Sequence, residues 1–219
     1  MSEQPDLQLN KADAAAALTP QARRLHLAIL EAFATTGAPP SRAAIEQAAR
    51  DLEIDAGVLT AELTERDVVA FDEHEEVRAA YPFSPTPTPH KISWDGGPQA
   101  YAMCAIDALG ISTMLGGPVT IASSEPGTGK PITIEVDGDR AQWTPDTAVV
   151  YAGATGDACC PSLERTCGHI NFFTTAESAN AWAGRHPEVT GVVLDRAQAL
   201  GYGIAEFGSL IHAGPPPAA

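Results

Sequence analysis

The chain has 219 residues, 44% of them hydrophobic, and carries 28 acidic against 13 basic side chains for a formal net charge of −15. A surface of that sign is repelled by phosphate backbones and anionic membranes, which argues against nucleic-acid or membrane-surface binding. No run approaches the ~18 consecutive apolar residues of a spanning helix, and Met1-Ser2-Glu3-Gln4-Pro5-Asp6 has neither the basic nor the apolar region of a secretory signal, so a cytoplasmic protein is expected.

Residues 1–17 are polar and alanine-rich without a cap, and are expected to fray. Thr19-Pro20 then opens a helix as N-cap and first-turn proline. Leu25, Ile29, Leu30 and Phe33 follow at helical spacing until Gly37-Ala38-Pro39-Pro40 stops it. Ser41 caps a second helix with Ala44, Ile45, Ala48 and Ala49 on one face. Asp55 caps a third, with Val58, Leu59 and Leu63 inward. Val68–Phe71, a polar turn and Val77–Tyr81 read as a β-hairpin. Three helices and a hairpin make residues 1–81 a winged-helix-like module. Its charge is wrong for reading DNA: residues 1–80 hold 15 acidic and 7 basic side chains, and the third helix sets Asp55, Glu62 and Glu65 against Arg66.

Residues 82–90, with four prolines, are expected to form a stiff extended linker. Residues 91–219 then form a second domain. Lys91–Trp94 reads as a strand entering a Gly-Gly-Pro turn. Residues 98–109 read as a helix, with Tyr101, Ala105 and Ala108 at i, i+4 and i+7 and a break at Gly110. Strands follow at Val119–Ser123 and Pro131–Val136, around a glycine-rich turn, and at Ala148–Tyr151. A loop carries Cys159 and Cys160, and a strand or turn holds Cys167–Phe173. Thr174-Thr175-Ala176-Glu177 has capping-box spacing and introduces a helix through Trp182. Gly191–Leu194 is a last strand and Asp195–Ile211 a last helix. This irregular alternation points to an α+β fold, with a mixed or antiparallel sheet and flanking helices.

Four cysteines carry most of the chemical information: Cys104, Cys159, Cys160 and Cys167. In a reducing compartment thiols favour metal or catalytic use over structural disulfides, and no Cys-x-x-Cys suggests a zinc site. On a helix Cys104 and Asp107 would share a face, ~5–6 Å apart. A thiolate can then grip a soft metal while a carboxyl beside it exchanges a proton. A core cysteine beside an unrelated aspartate fits the same spacing. Apolar surroundings would raise the aspartate's pKa and keep a proton at hand. Cys167 is either inert core or a ligand, and His169, Phe172 and Phe173 read as packing. Cys159 and Cys160 are either stations for handing on a thiophilic ion or incidental loop thiols.

Trp94-Asp95-Gly96-Gly97, followed by Tyr101-Ala102-Met103-Cys104-Ala105-Ile106-Asp107-Ala108-Leu109-Gly110, resembles the first active-site segment of the organomercurial (alkylmercury) lyases. Cys167-Gly168-His169-Ile170-Asn171-Phe172-Phe173 resembles the second, and Ala176–Trp182 and Ala199–Phe207 are similar as well. The resemblance covers about residues 90–211. It implies carbon–mercury cleavage by protonolysis, with Cys104 and Cys167 as the mercury-binding thiols and Asp107 as the acid. Mercury would be substrate and product, with no resident cofactor; an external thiol or mercuric reductase would accept the Hg(II), with Cys159 and Cys160 as hand-off sites. Two departures stand out. Many members have a further, structural cysteine in the stretch matching Ser123–Pro126, and this chain has none. Many read Cys-Cys-His where this chain has Cys167-Gly168-His169, which leaves Cys160 as a rival second thiol; the His-x-Phe-Phe anchor favours Cys167. Two other readings are a winged-helix thiol-based metal sensor and a non-catalytic soft-metal-binding homologue, and the acid at Asp107 argues against the second.

Overall fold

The computed structural model describes residues 10–155 and 162–211. Four helices come first: α1 (Lys11–Ala16), α2 (Pro20–Thr36), α3 (Arg42–Asp51) and α4 (Ala56–Glu65). Strands β1 (Val69–Phe71), β2 (Val77–Ala80), β3 (Phe83–Ser84), β4 (Lys91–Trp94) and β5 (Gln99–Ala102) lead into α5 (Ala105–Leu115). Next are β6 (Val119–Ser124), β7 (Pro131–Asp137), β8 (Arg140–Thr144) and β9 (Val149–Ala154). The chain closes with α6 (Ser162–Arg165), a 3-10 turn at Cys167–His169, β10 (Ile170–Phe173), α7 (Ala176–Arg185), β11 (Thr190–Leu194) and α8 (Arg196–Phe207). The fold is α+β. One antiparallel sheet runs β1-β2-β3-β5-β4-β6-β7-β8 and a second runs β10-β9-β11.

Period-two burial orients the large sheet. Along β7, Ile132, Ile134 and Val136 point inward and their neighbours face out. Register aligns Ala100, Ile92, Ile121, Ile134 and Trp143 across five strands, all buried on one face. Helix α5 fills the space against that face. Nine of its 11 residues are buried, in keeping with apolar residues on every face of the helix. Trp143 meets Phe172 of β10 edge-on, with ring centroids 5.6 Å apart, so the second sheet closes over the same core.

Several elements differ from the sequence expectations. Residues 98–109 are not one helix. The Trp94–Pro98 turn returns the chain as β5, which pairs with β3 and β4, and the helix starts only at Ala105. Backbone pairing on both edges overrides the helical propensity of an alanine-rich stretch. Gly110 does not break α5, because it lies where α5 and α8 cross: a Cβ there would sit 2.3 Å from the Gly203 carbonyl oxygen. Residues 82–90 are no free linker; Phe83 is fully buried, and β3 joins the hairpin to β5. Part of the stretch expected to fray forms α1, with Lys11 and Ala15 buried. Strand β8 was not foreseen, Val58 is 60% exposed rather than inward, and the capping box that opens α7 is Thr175 with Ser178, one residue later than expected. Cys159 and Cys160 lie outside the described residues.

Candidate active site

The strand-to-helix junction sets the first thiol. Met103 N–H donates to the Pro82 carbonyl, and Cys104 is extended (φ −151°, ψ 179°) as the N-cap of α5. Its sulfur accepts from the Asp107 N–H at 3.5 Å, the bond a serine or aspartate oxygen makes at most helix starts. The two residues therefore meet as cap and third helical residue, not as two positions within a helix. The second thiol comes from the 3-10 turn before β10. Asn171 Nδ2 donates to the Gly168 carbonyl at 3.0 Å and closes the turn that presents Cys167.

Cys104, Asp107 and Cys167 share one buried patch, at 3%, 5% and 7% exposure. Both thiols are free. Burial raises Cys104 well above the ordinary thiol range, and the nearby charges of Asp107 and Cys167 push it further. A helix N-terminus alone would favour the thiolate; here desolvation outweighs it. Burial, then Asp107, takes Cys167 up to about 12. Burial likewise lifts Asp107 from 3.8 to about 7, although contact with Cys104 and the charge of Lys11 pull it down. Among the described residues, one carboxyl oxygen of Asp107, Oδ2, is buried without a hydrogen-bond partner. At neutral pH the site thus holds two protonated thiols and an acid poised between its two forms.

Two residues at this patch went unnoticed in the sequence. The Cys167 thiol donates to the Tyr81 hydroxyl at 3.7 Å. Over the Tyr81 ring, 3.9 Å from its centre, lies the Lys11 ammonium. Lys11 Nζ also donates to the Asp67 carboxylate and carbonyl, each at 2.6 Å, and to Ser162 Oγ at 3.0 Å, while its backbone N–H donates to Glu206. Asp67 offers both oxygens because it adopts left-handed backbone, φ +54°. These contacts join residues 56 to 195 apart in the chain, beyond the reach of any local pattern. His169 is half-buried, and its charged neighbours are Glu188 and His186.

Among the described residues no three His, Cys, Asp or Glu side chains are grouped to hold a metal ion. Two sulfurs suit a soft ion of low coordination number better than a zinc or calcium cage. A surface hollow of about 640 Å³, lined by Trp94, Asp95, Glu135 and Arg140 among others, lies apart from the three residues.

The family model described as "MerB: Alkylmercury lyase" matches residues 83–208, which include all three residues of the patch. The chain belongs to the alkylmercury lyase family. The alkylmercury lyase of Staphylococcus epidermidis is 33% identical over 133 residues, 61% of each chain. That of Streptomyces lividans is 30% identical over 131 residues, 60% of each. The matched region thus spans about three fifths of the curated alkylmercury lyases. The fold likeness extends further: a crystal structure of the mercury-bound form of MerB2 superposes with a TM-score of 0.73 at 25% identity, covering 94% of this chain and 98% of that one.

Proposed function

We propose that the chain cleaves carbon–mercury bonds, with Cys104, Cys167 and Asp107 as its working residues. The observation that carries this reading is the buried meeting of two free thiols with one carboxyl group, with Asp107 N–H against the Cys104 sulfur. A mercurial arrives as R–Hg–SR′. One cysteine sulfur bonds to mercury and displaces R′S⁻, which leaves as R′SH with that cysteine's proton. The second sulfur then adds, its proton passing to Asp107. Two electron-rich sulfurs weaken the Hg–C bond; Asp107 delivers the proton to carbon, R–H departs, and Hg(II) stays bound by the two cysteines. Both thiol protons and both bonding pairs are accounted for. Soft sulfur favours soft mercury, and burial keeps bulk water from competing for the proton.

No resident cofactor is needed on this reading. An external thiol or mercuric reductase would take the Hg(II), with Cys159 and Cys160 as hand-off sites. Free thiols suit a reducing cytoplasm; among the described residues no helix is long and apolar enough to cross a membrane. The order of α2, α3, α4 and the β1–β2 hairpin supports a winged-helix-like description of this part of the chain, preceded by α1 and facing the site rather than DNA.

The test is to incubate the purified protein with methylmercury and excess thiol and to measure methane. Cys104→Ser and Cys167→Ser should each abolish release, and Cys160→Ser should stay within about tenfold of wild type (~1.4 kcal/mol in the barrier). Asp107→Asn should bind methylmercury yet lose most release. A dead Cys160→Ser beside an active Cys167→Ser would reassign the second thiol.

A further inference from the structure

Resting on the reading of Cys167 as the second thiol, we infer that Tyr81, braced by Lys11, is a positioning residue for that sulfur. The Cys167 S–H donates to the Tyr81 hydroxyl at 3.7 Å, with the Thr166 hydroxyl 4.0 Å from the same sulfur. A hydroxyl both accepts and donates. While Cys167 is a thiol, the phenol accepts from it; once the sulfur has given its proton to Asp107 and turned to mercury, the same O–H rotates and donates to it. The phenol supplies a hydrogen bond to the developing negative sulfur without giving up its own proton.

Lys11 gives this arrangement its direction. Its ammonium lies 3.9 Å from the ring centre, fixed by Asp67 and Ser162, and it is 4% exposed. A cation over the face draws electron density from the ring and makes the phenol a better donor. The side chain comes from α1, the element expected from sequence to be unstructured. Its charge also acts directly on Cys167 and Asp107, favouring the ionised form of each.

The test compares single-turnover methane release, KM and melting temperature in the full chain. Tyr81→Phe keeps the ring and removes the hydroxyl: release should fall about tenfold, with KM within twofold and the melting temperature nearly unchanged. Lys11→Met should lower release about threefold, again at constant KM. Wild-type release from Tyr81→Phe, or from Lys11→Met should Tyr81→Phe fail to fold, overturns the inference. So does a parallel loss of kcat, substrate affinity and melting temperature, which would mark Tyr81 as packing alone. Cys167→Ser serves as the control. If it turns over normally, the second-thiol reading itself fails; if it is dead while Tyr81→Phe is normal, only the inference fails.

Discussion

Asp107 shows how one residue trades stability for chemistry. Its folded pKa, about 7, lies above its ordinary 3.8, so the folded chain holds this proton more tightly than the unfolded one. Stability from this group is therefore intact below pH 4, falls as pH climbs from about 4 to 7, and stays lowered above that. Asp107→Asn is neutral at every pH and nearly the same shape. It should match wild type at pH 4 and exceed it at pH 8, by up to ~4 kcal/mol for a shift of about three pH units. Urea unfolding at the two pH values is the measurement, and an equal difference at both would mean that the carboxyl is not held protonated by folding. The expectation that apolar surroundings would raise this aspartate's pKa agrees with the shift found. Tyr81 and Lys11 were invisible, because the contacts that matter join remote parts of the chain.

At the scale of elements, local punctuation was legible and pairing was not. Thr19, Ser41 and Asp55 cap their helices as their side chains suggest. The alternating strand β7 was equally clear. What failed was the stretch before Cys104, where alanine and tyrosine at helical spacing concealed a strand held on both edges. Gly110 was misread for a related reason: its meaning lies in a partner 93 residues away. The α5–α8 crossing brings Gly203 so close that an added Cβ would meet Gly110 N and Ile106 O at 2.8 Å, both rigid backbone. Gly203→Ala should cost about 2 kcal/mol, because one helix must retreat. Gly201→Ala, on the exposed side of the same helix with open space around it, should gain up to ~1 kcal/mol from helix propensity alone. Chemical denaturation of both variants separates the crowded contact from the open position.

Across the whole molecule, the joint between the two sheets rests on Glu125. It sits in the β6–β7 turn. Its carboxylate accepts from the Thr174 N–H at 2.7 Å, the Thr174 hydroxyl, Ser178 Oγ at 2.9 Å and Thr128 Oγ1 at 2.8 Å. Thr174 and Ser178 belong to the start of α7, just beyond β10, so one side chain ties the large sheet to the small one. Burial pushes this carboxyl up, but the four donors outweigh it and hold the pKa at about 2. The stabilisation is fully present above about pH 4.5 and is lost as pH falls towards 2. Glu125→Ala should cost about 2–4 kcal/mol at pH 7, since it strands buried donors, and much less near pH 2. Acid titration of the two unfolding curves should show them converging; a constant gap would remove Glu125 from this role.

The sulfur of Cys104 has a second occupation, since the backbone of α5 begins against it. On the proposed reading, a metal that bonds to this sulfur would compete with the amide of Asp107 for it, so its arrival would loosen the first helical turn. An oxygen cap at position 104 would hold the turn more firmly and forfeit that coupling.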